Sequence, residues 1–282
     1  MERGVASAVR VRLGLAAWSN SHFDNALYHS GTKHDEYLPR YATIFDCAEA
    51  DVLHHTYPKR DTLKEWVAQT PEGFTFLPKM HKSATHEGQV DVAPRWLLGL
   101  EPLRDAGKLG PVLLQFPPSL SREKGWDLAQ SLLRTAGPGT FAVEVRHTSW
   151  FNEAFEEMLE NHEAPLVWST HPKAFAPPWA TGARGFVRFT GTIGAERGRY
   201  VTVDSRPEDV GAIAKRLQQA SWGECFCVVT NPFEGNAVDS LPKIAEGLGL
   251  KEVAAKMKRE PGRPLLADPP KPPPGPRQSK LM

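Results

Sequence analysis

The stretch from Phe141 to Trp150 contains charged residues at a spacing that could do chemistry. Successive side chains of a strand point to opposite faces, so Glu144 and Arg146 would share one face of a strand here. Apolar residues occupy the other face. A buried charge is tolerated when it is paired or used in function. This strand is therefore either part of a structural ion pair or the floor of a site.

Two residues are candidates for proton transfer. Glu144 could be a general base or acid whose pKa is set by burial and by Arg146. Lys79 could be an amine of depressed pKa that acts as a base or forms a Schiff base. The structural alternative needs no substrate: it is a satisfied ion network of Glu49 or Glu144 with Lys79, Arg146 and Arg188.

Histidines near the ends of the predicted strands offer a second chemistry. His86 follows the third predicted strand and His147 follows the fifth, so the two would face one rim. With His55, Glu144 and His171 they could hold zinc or manganese, because imidazole and carboxylate groups suit those ions. The sequence contains no H-x-H or H-E-x-x-H spacing and therefore assigns no metal ligand.

A glycine and several aromatic residues fall on the same predicted rim. Gly191 follows the seventh predicted strand, where many barrels hold phosphate with backbone N–H groups, and Arg188 would lie below it. A plain surface turn is the alternative interpretation. Trp18, with its neighbours Phe23 and Tyr28, could stack on a sugar or a base, or could simply cover the mouth of the fold.

The elements that must position these residues alternate between strand and helix. Apolar runs and helical spacing predict eight strands with helices and short connections between them. Eight such units over roughly 250 residues favour a closed (β/α)₈ TIM barrel, an α/β fold. The sixth helix is the exception, because the Pro-rich stretch 171–185 resists a helical interpretation. No G-x-G-x-x-G turn follows the first strand, which weighs against a dinucleotide-binding fold.

The strands near the candidate residues have the following predicted limits. We predict a second strand over 47–55, a third over 74–81 and a seventh over 185–191, and Ser149 is a candidate N-cap for the helix after the fifth strand. Active sites of TIM barrels lie at the carboxyl ends of the strands, so inward polar residues should meet there. The polar residues that strand alternation predicts to point inward near these ends are Glu49, Asp51, Lys79, His81, Gln115, Glu144, Arg146, Arg188, Thr190 and Asn231.

The composition is that of an ordinary soluble protein. The 282 residues are 40% hydrophobic and carry a formal net charge of +1, so no global field attracts nucleic acid, and such a partner would need a local patch. Three cysteines are too few for a disulfide framework and indicate a reducing compartment. No apolar run has the length of a signal peptide or a membrane span. We therefore expect a cytoplasmic protein with no membrane partner.

The composition changes after residue 250. Residues 255–282 contain seven Lys and Arg against two Asp and Glu, together with eight prolines. Such a segment cannot build a core, so we predict a barrel domain over 11–250 and a disordered, basic, Pro-rich tail over 251–282. The tail could hold an anionic partner, or it could be a solvated extension.

Several of these segments together resemble the YecE-like family of TIM barrels, catalogued as domain of unknown function seventy-two. The matching residues are Gly14 to Trp18, Glu49, Pro58, Gly73 to Phe76, Lys79, Thr85, His86, Leu109 to Ser119, Glu144 to His147, Trp150, Arg188, Gly191, Asn231, Gly235 and Ala237. The resemblance implies the fold of nearly the whole predicted barrel, but it implies no established activity. The chain departs from the family pattern at Asp51, His54 and His55, and again at Thr230 and Pro232.

The leading hypothesis is a TIM-barrel enzyme that uses acid–base chemistry on a small anionic or sugar-like substrate, which could be phosphorylated. The catalytic candidates are Glu144, Lys79, His86 and Glu49. The candidates for binding the substrate are Arg146, Arg188, Gln115, Gly191, Asn231 and Trp18. The alternatives are a metal-dependent phosphodiester hydrolase that acts on nucleic acid and a non-catalytic ligand-binding barrel. The sequence identifies neither the substrate nor a cofactor.

Overall fold

In the computed structural model, strands and helices alternate along the chain. The structure describes residues 9–20, 23, 26–191, 205–230, 233–257 and 264–266. The strands are β1 (Arg10–Leu15), β2 (Cys47–Ala50), β3 (Thr75–Pro78), β4 (Val112–Gln115), β5 (Phe141–Glu144), β6 (Trp168–Ser169), β7 (Arg184–Phe189) and β8 (Glu224–Val229). The helices are α1 (His34–Tyr41), α2 (Arg60–Ala68), α3 (Lys82–Thr85), α4 (Val92–Leu98), α5 (Glu101–Asp105), α6 (Arg122–Leu133), α7 (Glu153–Asn161), α8 (Pro207–Leu217), α9 (Ala237–Gly247) and α10 (Lys251–Lys256).

The strands that pair do so in parallel. β2 pairs with β3, β4 pairs with β5, and a four-stranded sheet has the order β1, β8, β7, β6. Single parallel bridges join Lys79, just after β3, to Leu113 of β4, and β5 to the chain just before β6. At Gly14 of β1, an added Cβ would lie 2.2 Å from the carbonyl oxygen of Cys47 in β2, so the two backbones are in close contact. The predicted α/β class with parallel strands is confirmed.

Apolar side chains form two buried clusters. The smaller cluster contains Cys47, Leu77, Leu113, Ala142, Val167, Phe186, Phe226 and Val228. The larger cluster includes the inner faces of the helices, for example Leu63 of α2 and Leu159 of α7. Side chains two positions apart on a strand point the same way, so a second layer lies beyond the smaller cluster, toward the carboxyl ends of the strands. Its members are polar: Glu49, Lys79, Gln115, Glu144, Ser169, Arg188 and Thr230.

The second strand is shorter than predicted. It ends at Ala50, and a 3₁₀ helix follows over Asp51–His54. The reason lies in the next side chains, since Leu53 is buried while Val52 is half exposed, and the turn keeps Leu53 in the core. The end of β2 therefore presents Asp51 from a helical turn rather than from an extended strand.

The helix after β5 has a different cap from the predicted one. A 3₁₀ helix covers Thr148–Trp150, and α7 begins at Glu153 with Asn152 as N-cap, whose side chain accepts a hydrogen bond from the backbone N–H of Phe155 at 3.2 Å. The hydroxyl of Ser149 instead accepts a hydrogen bond from the N–H of Arg122 at 2.9 Å. The prediction that Ser149 caps this helix was wrong because the chain makes one additional turn before the helix starts.

The segment between β6 and β7 packs against helix α8. Residues 170–183, all of them described, form turns and irregular backbone. The guanidinium of Arg216 on α8 lies 4.8 Å from the ring centre of Phe175 and 5.8 Å from that of Trp168, and it donates a hydrogen bond to the carbonyl of Ala176 at 2.7 Å. Arg216 thus helps to hold this segment, which contains no helix, against α8.

Two stretches of the predicted tail belong to the fold. Helix α10 buries Ala254, and the backbone N–H groups of Leu265 and Leu266 donate hydrogen bonds to the carbonyls of Ala26 and Leu27 at 2.9 and 2.8 Å. The predicted disorder from residue 251 onward is therefore wrong for these stretches, because their apolar side chains are buried. The rest of the predicted tail lies outside the described residues.

Within the described parts of the chain, no helix is both long enough and apolar enough to span a bilayer.

Candidate functional site

A buried ion network lies at the carboxyl ends of three strands. Arg188 of β7 donates hydrogen bonds from Nε and Nη2 to the two carboxylate oxygens of Glu49 on β2, at 2.8 and 2.9 Å. Its Nη1 donates to Glu144 of β5 at 2.5 Å. Both glutamates are 0% exposed and Arg188 is 3% exposed. The structure thus brings together three predicted site residues that are distant in the sequence.

Glu144 is the most heavily bonded carboxylate of this network. Besides Arg188, it accepts hydrogen bonds at Oε1 from Nε of Arg146 at 3.0 Å and from the hydroxyl of Ser169 at 3.1 Å. Burial alone would raise the pKa of Glu144, but the guanidiniums of Arg188 and Arg146 outweigh it and lower the pKa to about 2. Glu144 is therefore a permanent carboxylate at neutral pH.

Glu49 has the opposite tendency. Burial raises the pKa of Glu49 above its ordinary value, and the nearby charges of Arg188 and Lys79 offset only part of that effect. Of the two buried carboxyl groups, Glu49 is thus the one that accepts a proton more readily.

Lys79 and Asp51 form a second ion pair beside the network. Nζ of Lys79 lies 2.9 Å from Oδ1 of Asp51, and their side chains are 11% and 40% exposed. Burial would raise the pKa of Asp51, but the ammonium of Lys79 outweighs it, so the pKa is lowered. The pair brings a carboxylate and an ammonium group to a partly solvated edge.

A cavity of about 250 Å³ opens on these groups. Asp51, Arg146, Arg188, Thr190 and Gly191 line it, together with residues from the ends of β1 and β8. The side chain of Arg146 is 20% exposed, in contrast to 4% for Arg188. The wall of the cavity therefore contains charged and polar groups, among them an arginine that solvent can reach.

Histidines surround the end of β3. Nδ1 of His54 lies 2.6 Å from the carbonyl of Met80, and the rings of His55 and His86 have their centres 5.0 Å from that of His54. Burial, with the charge of Lys79, lowers the pKa of His54 to about 4, and the same two causes lower the pKa of the exposed His86. Both imidazoles are therefore neutral near pH 7.

The histidines that the sequence suggested for a metal site do not form one ligand set. His147 contacts the hydroxyl of Ser149 at 2.8 Å, and Nδ1 of His171 accepts a hydrogen bond from the backbone N–H of Lys173 at 3.3 Å. Across the residues that the structure describes, no three or more His, Cys, Asp or Glu side chains are grouped so as to hold a metal ion.

The remaining predicted residues have different surroundings. Gln115 is buried, and its amide donates a hydrogen bond to the carbonyl of Phe116 at 2.8 Å, so it fills the polar layer. Trp18 is buried at the rim with its ring edge-on to Trp66, with a centroid distance of 4.6 Å. Asn231 lies outside the described residues.

One residue near the cavity escaped the sequence interpretation. Arg206 donates hydrogen bonds from Nη1 to the carbonyl of Thr190 at 2.9 Å and from Nη2 to that of Thr170 at 2.6 Å, and its own N–H donates to Glu234 at 2.8 Å. It therefore ties together the chain segments that follow β6, β7 and β8. Strand parity could not find it because it precedes α8. The only available hint was an arginine directly before the helix-starting Pro207.

A protein-family model and several curated proteins match the chain. The family model described as "Protein of unknown function DUF72" matches residues 12–264. UPF0759 protein YunF of Bacillus subtilis (strain 168) is 25% identical over 156 residues, and UPF0759 protein YecE of Escherichia coli (strain K12) is 26% identical over 155 residues. These matches cover 52% and 54% of this chain and 54% of each relative. The chain thus spans about half the length of the curated relatives it matches.

Solved structures of DUF72 family proteins share the fold. A DUF72 family protein of Thermotoga maritima MSB8 has a TM-score of 0.70 at 22% identity, covering 86% of this chain and 99% of that one. A DUF72 family protein of Enterococcus faecalis V583 has a TM-score of 0.68 at 19% identity, covering 87% and 99%. At these identities the likeness extends to the fold alone.

Proposed function

The chain belongs to the DUF72 family, as its sequence suggested, and we propose that it is an enzyme that uses acid–base chemistry on a small anionic or sugar-like substrate, such as a phosphorylated one. The observation that carries the proposal is the placement of Arg146. Its Nε is fixed by the buried Glu144 at 3.0 Å, while its side chain lines the polar cavity and stays 20% exposed.

This proposal includes a closed (β/α)₈ TIM barrel. The pairs and bridges between neighbouring strands support it, as does the close approach of Gly14 to Cys47 where β1 meets β2. The irregular segment 170–183 then takes the place of the sixth helix. In such a barrel the polar layer would lie at the carboxyl-terminal mouth, where TIM-barrel active sites are found. The domain would extend past residue 250, at least to the buried Leu266.

Arg146 is the proposed anion-binding residue. Arg188 already donates from all three of its nitrogens to the two glutamates, so its charge is largely compensated. Arg146 uses Nε for Glu144, and its two terminal nitrogens make no hydrogen bond to the residues that the structure describes. Planar N–H pairs match phosphate and carboxylate oxygens well. Gly191 and Thr190 line the same cavity and would add a backbone N–H and a hydroxyl group.

Proton transfer is better assigned to Glu49 and the Lys79–Asp51 pair than to Glu144. A general base works best when its pKa is close to the working pH, and a pKa of about 2 makes Glu144 a weak base. We therefore give Glu144 the role of holding Arg146 and Arg188. Glu49, which lines the cavity next to the polar one and whose pKa is raised, would exchange the proton, and His86 would assist from the exposed rim.

The alternative hypotheses have less support. No grouped metal ligands exist among the described residues, so no observation favours the metal-dependent hydrolase of nucleic acid. A ligand-binding barrel without catalysis would have the same anion site as the proposed enzyme and would differ from it only in the absence of turnover. A cytoplasmic location stays a proposal, supported by the three buried free cysteines Cys47, Cys225 and Cys227.

The anion site can be tested with inorganic phosphate and glycerol 3-phosphate as probes in calorimetric titrations. We expect Arg146→Gln to weaken binding by about tenfold or more, because a charge-assisted hydrogen bond contributes about 1.5–3 kcal/mol. Arg104→Gln, at an exposed position on α5, is the matched control and should bind as the wild type does. Wild-type protein that binds neither probe, or equal affinity in Arg146→Gln, would contradict the proposal. If the protein binds phosphorylated sugars but turns over none of a panel of them, the hypothesis of a non-catalytic ligand-binding barrel is favoured.

A further inference from the structure

A second cavity lies next to the polar one. It has a volume of about 270 Å³, and Ala17 and Asp51 line both cavities. The two spaces are therefore neighbours across one boundary. Their walls differ in character: Arg146 and Arg188 line the first cavity, while Trp18 and Trp66 line the second.

The aromatic wall of the second cavity is held in a fixed geometry. The rings of Trp18 and Trp66 meet edge to face, with centroids 4.6 Å apart and an interplanar angle of 85°. Trp66 in turn stacks on the buried Phe76 at 5.5 Å and 28°. Val52, which is 50% exposed, adds an aliphatic group to the lining. A pre-formed apolar wall of this kind accepts a flat ring with little loss of side-chain entropy.

The sizes of the two cavities argue for one ligand that occupies both. Pockets for small organic ligands usually measure about 300–1,000 Å³. Each of these cavities, at about 250 and 270 Å³, is smaller than that, whereas together they fall within the range. Asp51 stands at the boundary with a side chain that is 40% exposed, so it could accept a hydrogen bond from the middle of such a ligand.

We infer that the ligand of this site is an organic anion that carries a ring: its anionic group would lie at Arg146 in the first cavity and its ring against Trp18 and Trp66 in the second. A hydroxyl or amine between the two groups would donate to Asp51. This inference rests on the proposed function and narrows its substrate class. It also assigns a role to Trp66, which the sequence did not single out.

Phenyl phosphate and inorganic phosphate, titrated separately by calorimetry, test the inference. Phenyl phosphate should bind about tenfold more tightly, because burying an aromatic ring contributes favourable transfer free energy. Trp66→Ala should remove this gain and leave the affinity for inorganic phosphate unchanged. Trp126→Ala on α6, also a partly buried tryptophan, is the matched control and should retain the full gain.

A second variant protects the test against a folding defect in Trp66→Ala. Val52 is half exposed, so Val52→Glu should fold normally and should weaken phenyl phosphate binding by severalfold through its charge, with a smaller effect on inorganic phosphate. Two results would overturn the inference while leaving the anion site intact: equal affinity of the wild type for both probes, or a gain that survives both Trp66→Ala and Val52→Glu. If the wild type binds neither probe, both the proposed function and this inference are wrong.

Discussion

Both carboxylate oxygens of Glu49 accept hydrogen bonds from a single guanidinium, that of Arg188, which lies 139 positions later in the chain. The pair is buried, and the third nitrogen of Arg188 reaches Glu144. Two carboxylates therefore depend on one cation that is almost inaccessible to water. Removal of one member of such a network costs more than the pair itself contributes, because an uncompensated charge stays behind.

Arg188→Met should be strongly destabilising for that reason. We expect the free energy of unfolding at neutral pH to fall by about 3–5 kcal/mol, as is typical when a buried ion pair loses one partner. Urea unfolding followed by circular dichroism would measure it. Arg104→Met at the exposed position on α5 provides the baseline, and a cost for Arg188→Met within about 1 kcal/mol of that baseline would show that the network carries little energy.

Acid should destabilise the protein through Glu144. The pKa of Glu144 is about 2 in the folded chain, below the ordinary value of 4.5, so its contribution is fully present above pH 4.5 and is lost as the pH falls toward 2. The shift corresponds to about 3 kcal/mol. In Glu144→Gln this part of the acid dependence should be missing, which unfolding curves at pH 5, 4, 3 and 2 would reveal. Parallel pH profiles for the two proteins would rule the mechanism out.

Glu49 should affect the pH dependence in the other direction. Its pKa is raised in the folded state, so its contribution is favourable below the ordinary value and is lost as the pH rises through the folded pKa. The stability of the Glu49→Gln protein relative to that of the wild type should therefore rise as the pH increases above 4.5. An unfolding series from pH 4 to pH 8 measures this difference, and a relative stability of Glu49→Gln that falls over this range would contradict the raised pKa of Glu49.

Strand parity was sufficient to predict that Glu49, Glu144 and Arg188 lie together. On these strands, each polar residue of the layer lies two positions after a residue of the smaller apolar cluster, for example Glu49 after Cys47 and Arg188 after Phe186. The sequence could not predict the pKa of Glu144, because that value depends on how many donors distant strands bring to one carboxylate. The hydroxyl of Ser169 is one such donor.

Residues outside the strands were harder to foresee. Trp66 on α2 lies at the second cavity because of how that helix packs against Phe76, and helical periodicity does not report this. The end of β2 at Ala50 was also missed, since the apolar pattern of 47–55 fits a strand as well as a turn. Both features arise from tertiary contacts.

Arg206 should act as a positioning residue for the cavity. Its guanidinium holds the carbonyls of Thr170 and Thr190, so Arg206→Met should lower the free energy of unfolding by about 1.5–3 kcal/mol, the range for a hydrogen bond to a charged group. The affinity for inorganic phosphate should fall as well, because Thr190 lines the polar cavity. Arg206→Lys should restore part of the stability. Unchanged phosphate affinity in a destabilised Arg206→Met protein would indicate a role in stability alone.

Two glycine substitutions should have opposite effects. A Cβ at Gly185 would lie 2.1 Å from the ring of Trp222, so Gly185→Ala should destabilise the fold by at least about 2 kcal/mol through overpacking. At Gly211, inside α8, an added Cβ meets nothing within 4 Å, and Gly211→Ala should stabilise by about 0.5–1 kcal/mol. Thermal unfolding of the two proteins gives the comparison, and similar shifts for both would contradict the packing at Trp222.

The pairing of β1 with β8, and of Ala26 and Leu27 with Leu265 and Leu266, matters during synthesis of the protein. β1 leaves the ribosome long before its partner β8 is synthesised. Until then the edge of β1 that pairs with β8 has unpaired backbone N–H and C=O groups. Unpaired strand edges make incompletely folded chains prone to aggregation. The charged Arg10 and Arg12 on this strand would discourage it from pairing with neighbouring chains in the meantime.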